Sequence, residues 1–268
     1  MRKKLLYGLL CGAMVLPLAA ARADDDAAAR AQRWQELRHA IFGNRPVADG
    51  RDMLALKTPY RAEDAALVPV AIELKRPNAV KGLYLVIDNN PAPMAAHFSF
   101  GPAADPRTIG LRVRVNDYTD MHAVAEMQDG TLLGVANYVK ASGGCSAPAG
   151  SSDAEALKGI GFMKLRMLGG SAPDKSRDVI LLIRHPDFNG MQMNQSTRLV
   201  TPPRYIDATR VTYNDALVFN LETGISLSSN PTISFSFAPK APGRLRVVAH
   251  DTDHAVFTRD FEIPGPSS

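Results

Sequence analysis

The chain holds two cysteines, Cys11 in an apolar leader and Cys145 in the segment Ala141-Ser142-Gly143-Gly144-Cys145-Ser146-Ala147-Pro148. Paired glycines beside Ser, Ala and Pro discourage regular structure, so this is a poor setting for a packed structural thiol. Once the leader is lost, Cys145 has no partner in its own chain. An unpaired cysteine in a secreted protein points to pairing between molecules or to a free reactive thiol. The flanks favour the thiol: Gly143, Gly144 and Ser146 read as a flexible arm that keeps Cys145 exposed and quick to react with thiol reagents. An ordinary cysteine of pKa near 8.5 is a few per cent thiolate at neutral pH, enough for a group that a separate enzyme loads. Extended backbone from Lys140 to Cys145 spans roughly 17 Å, far enough to carry the sulfur into a partner's cleft.

Other residues offer chemistry with less support. His250-Asp251-Thr252-Asp253-His254 has metal-ligand residue types but coincides with an expected hairpin turn, where polar residues are needed anyway. Met191 and Met193, with His185 nearby, suit a soft copper ion, or ordinary loop and edge packing. A cysteine hydrolase using His97 or His122 as base needs a rigidly held nucleophile, which a Gly-Gly arm does not provide. Arg112 and Arg114 alternate along a strand and read as solvated charges that could guide anions or docking partners. The residues therefore point to no catalytic group, no metal and no cofactor.

Arg2, Lys3 and Lys4, the apolar run Leu5 to Ala20 and the A-x-A signal Ala21-Arg22-Ala23 form a secretory leader, with cleavage expected after Ala23. An uncleaved anchor fits less well, because the run is short, contains Pro17 and ends in small residues. The mature protein is expected in the periplasm. The formal charge of +4 comes from the leader: removing Arg2, Lys3, Lys4 and Arg22 from 31 basic residues leaves 27, equal to the 27 acidic residues. A balanced chain without a basic run is a poor nucleic-acid binder, and no later segment reads as a membrane-spanning helix.

Val68, Val70, Ile72 and Leu74 alternate with smaller or polar residues, as do Leu111, Val113 and Val115, and Ile233, Phe235 and Phe237. Turn residues separate these strands about every ten positions, the pattern of antiparallel sandwiches. The exception is Ala27 to Ile41, where Ala27, Ala31, Trp34, Leu37 and Ile41 recur at helical spacing and Trp34 is expected to face the first sandwich. Asn90-Pro91, Phe98-Ser99-Phe100 and Gly110 to Val115 match Asn230-Pro231, Phe235-Ser236-Phe237 and Gly243 to Val248 in order, which suggests a duplicated β-unit rather than chance similarity. The expected organisation is a leader (1–23), a helix (24–42), a sandwich ending in the Gly-Gly-Cys arm (43–145), a flexible linker (146–159) and a second sandwich (160–268). The two sandwiches are expected to pack together through a sizeable apolar interface.

Phe42-Gly43-Asn44-Arg45-Pro46-Val47 with Gly50, Asp88 to Pro93, Val124 to Gly130 and the closing strand into Gly143-Gly144-Cys145 resemble SoxY of the periplasmic thiosulfate-oxidising system. His185-Pro186 with Gly190, Pro203 to Ile206, Asn230-Pro231 and Ile233-Ser234-Phe235 resemble SoxZ. The whole is most similar to the fused SoxYZ-like carriers associated with quinoprotein dehydrogenases. The resemblance implies an all-β fold of two immunoglobulin-like antiparallel β-sandwiches with a short N-terminal helix. It implies a non-catalytic carrier in which Cys145 holds small sulfur-containing cargo covalently on a swinging arm. Partners would be Sox-type sulfur-oxidising enzymes or a quinoprotein (PQQ) alcohol dehydrogenase system with other cargo. A periplasmic metal-binding protein is the remaining alternative. In SoxY the motif is GGCGG at a free C-terminus, whereas here Ser146-Ala147-Pro148 follow and the arm is tethered at both ends.

Overall fold

The computed structural model describes residues 18–148, 153–168, 176–194, 197–239 and 241–264, with side chains from residue 26 onward. The leader through residue 17 and linker residues 149–152 lie outside the described residues. A helix, α1 (Leu18–Phe42), precedes eight strands: β1 (Val47–Asp49), β2 (Leu54–Lys57), β3 (Val68–Leu74), β4 (Val80–Ile87), β5 (Met94–Phe100), β6 (Thr108–Val113), β7 (Thr119–Met127) and β8 (Leu132–Val139). A one-turn helix, α2 (Asp153–Ala156), leads to seven more. These are β9 (Met163–Met167), β10 (Arg177–Ile183), β11 (Ile206–Tyr213), β12 (Ala216–Thr223), β13 (Thr232–Phe237), β14 (Gly243–Asp251) and β15 (Val256–Ile263).

The strands form two sheets, ordered β1-β8-β7-β4-β5-β12-β11-β14-β15 and β2-β3-β6-β13-β10-β9. Divided at the middle, the first half places β8-β7-β4-β5 over β2-β3-β6, and the second places β15-β14-β11-β12 over β9-β10-β13. Each half is thus an immunoglobulin-like sandwich, and β2 to β8 correspond one for one to β9 to β15. The sandwiches do not stack through faces. They join edge to edge in both layers, β5 beside β12 and β6 beside β13, both antiparallel. One pairing departs from the antiparallel expectation: the short edge strand β1 runs parallel to β8.

The correspondence corrects the register of the sequence repeat. Phe98 and Phe100 lie on β5, whose counterpart is β12, while Phe235 and Phe237 lie on β13, the counterpart of β6. The duplication is present, but the matched F-x-F segments are one strand out of step. Alternating apolar residues facing a shared core look alike wherever they fall, so a short pattern cannot tell one strand from the next.

The buried alternations of β3, β6 and β13 are as the sequence indicates: Val68, Val70, Ile72 and Leu74, then Ile109, Leu111 and Val113, then Ile233, Phe235 and Phe237 all face inward. One core runs through both halves. At the seam Phe98 meets Phe219 edge-on at 5.4 Å, and Phe219 meets Phe235 at 5.0 Å, so an aromatic chain crosses between halves and between sheets. Such pairs contribute about 0.5–1.5 kcal/mol each beyond their buried area. Outside the core, α1 lies against the larger sheet, with Leu37 and Phe42 buried, Trp34 stacked on His122 at 3.6 Å and Phe42 edge-on to Tyr84 at 5.1 Å. The Trp34 face therefore packs on the first sandwich as its periodicity indicates.

A chain cut by protease within residues 150–159 is expected to elute as one particle in gel filtration and to melt in one cooperative transition, because separation would tear two sheets and open the shared core. Elution of two fragments under mild conditions would contradict the continuous core.

Candidate functional site

The Cys145 segment begins where β8 ends. The Lys140 amide donates to the Tyr60 carbonyl at 2.7 Å, which anchors the chain before it turns. The turn then folds back on the strand end after β6: the Gly143 amide donates to the Asn116 carbonyl and the Gly144 amide to the Val115 carbonyl, each at 2.9 Å. Ser146 Oγ closes the turn by donating to the Gly143 carbonyl at 3.2 Å. Gly143 adopts φ = +79°, which favours glycine. At Gly144 a Cβ would collide with the Ala65 carbonyl and lie 2.7 Å from the Val115 carbonyl oxygen, so only glycine allows the approach.

Cys145 is consequently buried, with 0% relative exposure, contrary to the exposed thiol expected from its flanks. Gly143, Gly144 and Ser146 form a docked turn rather than an extended arm in this conformation. Low-complexity flanks remove any helix or strand preference, yet they leave the backbone small enough to be gripped by neighbours, and that tertiary contact is invisible in a local reading.

Part of the grip comes from the second half. Asn189 Nδ2 donates to the Cys145 carbonyl at 2.7 Å and Gln192 Nε2 to the Ala147 carbonyl at 3.2 Å, both from buried side chains. Opposite them, Arg114 is only 2% exposed. Its guanidinium reaches the Gly144 carbonyl at 3.5 Å and the Asp187 carbonyl at 3.4 Å. Burial pushes the Cys145 thiol above its ordinary pKa, while the charge of Arg114 pulls the other way. Burial likewise lowers the pKa of Arg114, opposed by Asp187, Cys145 and Asp64.

Two motifs build the supports. Asn90 donates to the Arg114 carbonyl and to Ser226 Oγ, both at 2.8 Å, and accepts from the Asn116 amide at 2.8 Å, fixing the strand end that receives the glycine amides. In the second half, buried His185 lies 2.7 Å from Asp187 Oδ1 and 3.4 Å from Asp251 Oδ2, and Arg204 Nε donates to Asp251 at 2.9 Å. Asp187 holds φ = +44° and also accepts the Ile206 amide at 2.8 Å. Burial raises the Asp187 carboxyl, against the pull of His185, the Ile206 amide and Arg114. Burial would raise Asp251 too, but Arg204, the Ala255 amide and His185 hold it below the usual carboxylate range. This network pins residues 185–189, and with them Asn189.

The other residues singled out in the sequence lie elsewhere or serve the fold. His122 sits under Trp34 with Nε2 3.2 Å from Asp88, and His97 stacks on Tyr84 and pairs with Glu222 across the seam at 3.3 Å. Neither forms a bond to Cys145. Asp251 caps the β14–β15 turn by accepting the Asp253 and Ala255 amides, while His250 and His254 are exposed. Met191 and Met193 are partly exposed, and the ring nitrogens of His185 are both engaged by carboxylates. Arg112 is exposed as expected, but Arg114 is not. Nothing in the sequence marks Asn189 and Gln192 as functional, since Asn189-Gly190 beside His185-Pro186 looks like a plain turn signal.

A cleft of about 570 Å³ opens at this end of the seam, with Asp64, Arg114, Pro148, Arg184, Gln192 and Asn230 among its walls.

At neutral pH, iodoacetamide should alkylate native Cys145 far more slowly than the unfolded chain, and Gly144→Ala should speed the reaction by forcing the turn off Ala65. Fast labelling of both native proteins alike would contradict the docked turn. The raised thiol pKa also has a linkage consequence. The unfolded chain gives up this proton at lower pH than the folded one, so the thiol's contribution to stability is complete below the ordinary thiol range and is lost as pH rises through the folded pKa. Denaturant melts from pH 7 to 10 should show wild type losing stability relative to Cys145→Ala; parallel curves would remove the effect.

Residues 38–145 match the model of the sulfur oxidation protein SoxY, and residues 166–262 match that of the sulphur oxidation protein SoxZ. The SoxY match ends on Cys145. Among solved structures, the sulfur carrier protein SoxY from Chlorobium limicola f thiosulfatophilum is 26% identical, covers 44% of this chain and 98% of its own, and has a TM-score of 0.38. A superoxide reductase (neelaredoxin) from Ignicoccus hospitalis is 10% identical over 33% of this chain and 78% of its own, with a TM-score of 0.30. No curated protein matches the chain. Two family models that together span most of the sequence, one for each half of the sandwich pair, place this chain in the SoxY and SoxZ sulfur-oxidation protein families, with a SoxY half and a SoxZ half in one polypeptide.

Proposed function

We propose that this protein is a periplasmic, non-catalytic carrier that holds sulfur intermediates covalently on Cys145 while Sox-type partner enzymes load and process them, and that the docked turn is the closed position of its arm. One observation carries the reading: the cysteine that closes the SoxY match is seated at the junction with the SoxZ half, gripped by backbone-directed hydrogen bonds rather than by a catalytic base. A sulfur with no imidazole or carboxylate bonded to it among the described residues is suited to storage. Activation is left to the partner. Joining the thiolate to the sulfane sulfur of thiosulfate releases two electrons, so loading needs an electron-accepting enzyme.

Opening breaks the bonds from Asn189 and Gln192 and those of the two glycine amides. At about 0.5–1.5 kcal/mol net for each, the closed state is favoured by a few kcal/mol, an amount that docking of a partner can offset. The upstream limit on reach is the roughly 17 Å of extended backbone from Lys140 to Cys145. Because the chain continues past Cys145, the partner's site must admit both strands of the loop rather than a single free end.

Intact-mass analysis of protein from its own periplasm, prepared without reductant, is expected to show a sulfur adduct that dithiothreitol removes and that Cys145→Ala lacks. The variant should lose pathway function at a stability cost of about 1 kcal/mol, since a buried group is lost rather than a surface one. Full function of Cys145→Ala in a cell that depends on this protein would end the carrier reading.

A further inference from the structure

Arg114 is a buried cation without an ion-pair partner among the described residues. Its Nε has no hydrogen-bond partner there, and its two other nitrogens reach only backbone carbonyls, at 3.5 and 3.4 Å, the long end of the hydrogen-bond range. Buried charges are ordinarily paired, and the acids nearby do not pair with this one. Asp187 uses Oδ1 for His185 and the Ile206 amide and leaves Oδ2 unpartnered, acting on Arg114 electrostatically but from beyond ion-pair distance, and Asp64 is exposed and accepts the Ala66 amide. Arg114 lines the seam cleft and reaches the carbonyl of Gly144, the residue before Cys145, at 3.5 Å, while the buried Cys145 lies behind the cleft wall rather than on it. The other acid on that wall, Glu155, is exposed and paired with Lys158.

A guanidinium presents a planar fork of N–H donors that fits two oxygens of a carboxylate, phosphate or sulfonate, and such charge-assisted bonds are about twice as strong as neutral ones. We propose that Arg114 is the recognition residue for an oxyanion borne on the Cys145 sulfur, so that an adduct ending in a sulfonate is retained in the cleft and an uncharged adduct is not. The proposal rests on the reading of Cys145 as the attachment site and adds to it the residue that recognises the charge of the cargo. Arg114 is a specificity residue here: it makes no bond to the sulfur and takes no part in forming or breaking one. The seam cleft has room for the few heavy atoms of such a group, and the cation stands on its wall before any cargo arrives.

Two reagents place an anionic and a neutral adduct on the same sulfur. With tetrathionate the thiolate attacks an inner sulfur, the central S–S bond breaks, thiosulfate leaves, and the cysteine carries an S–SO3⁻ extension. With methyl methanethiosulfonate the thiolate takes the methylthio group, methanesulfinate leaves, and the product is an uncharged methyl disulfide. The rate at which dithiothreitol strips each adduct from the unfolded chain, divided by the rate for the same adduct on the full-length folded protein, gives a protection factor. In wild type the anionic adduct is expected to be at least ten times better protected than the neutral one. Arg114→Gln should remove this difference and leave the neutral adduct unchanged, and Arg114→Lys should keep part of it. Equal protection of the two adducts in wild type overturns the proposal without any variant. So does an Arg114→Gln protein that keeps the difference, or one that loses protection of both adducts alike, which would mark Arg114 as a fastener of the turn. If native Cys145 accepted neither reagent, the carrier reading itself would fall first.

Discussion

Five residue pairs of antiparallel ladder, from Phe219 opposite Phe100 to Thr223 opposite Ala96, tie the larger sheet of one half to that of the other. Everything at the cysteine depends on this seam. Asn189 and Gln192 belong to the second half and the turn they hold belongs to the first, so their bonds exist only if the halves keep a fixed relation. A hinged pair of domains could not do this. Side-chain bonds of 2.7 to 3.2 Å tolerate little relative motion, and the ladder with the Phe98–Phe219–Phe235 chain behind it suppresses that motion.

The second layer is joined more lightly. Between β6 and β13 a single pair, Ser234 opposite Gly110, is in register, with isolated bridges from Ala104 to Phe237 and from Val113 to Leu227 beside it. Just past this thin join lie Arg114 and the strand end that receives the Gly143 and Gly144 amides. The site thus sits where one sheet stops being continuous and polar groups replace ladder bonds: Arg114 donates its amide to the Ser226 carbonyl, and Asn90 bridges Arg114 and Ser226. Binding sites gather where a scaffold is rigid and the segments it carries are not.

The period-two alternation made the sandwich class legible, because inward residues must be apolar wherever a sheet has one solvated face. The helix was legible for the same reason, through Trp34 and Leu37 at helical spacing. Its start was not, since α1 begins at Leu18 while the apolar rhythm begins near Ala27. Cys145 could be singled out by chemistry, but its burial could not be read: Gly-Gly favours mobility and close approach equally, and only the Ala65 and Val115 carbonyls decide between them. Arg114 misled for a related cause. An arginine between Val113 and Val115 looks like the outward residue of a strand, but β6 ends at Val113, and past that point alternation no longer says which way a side chain faces. The Asp88-Asn89-Asn90-Pro91 and His185-Pro186 segments stand out in the sequence as signatures, and their work as clamps emerges only from contacts made far along the chain.

Strands β5 and β6 on one half, and β12 and β13 on the other, would each be bare sheet edges if the halves were apart, with rows of unpaired amides and carbonyls open to any extended chain. Covalent fusion changes how that hazard is met during biogenesis. Two separate subunits must find each other at whatever concentration synthesis delivers them, and an excess of either leaves sticky edges with nothing to cover them. A single polypeptide fixes the stoichiometry at one to one and keeps each edge close to its complement from the moment of synthesis. The chain that carries the cysteine from one half towards the other also ensures that neither half is ever left as an orphan.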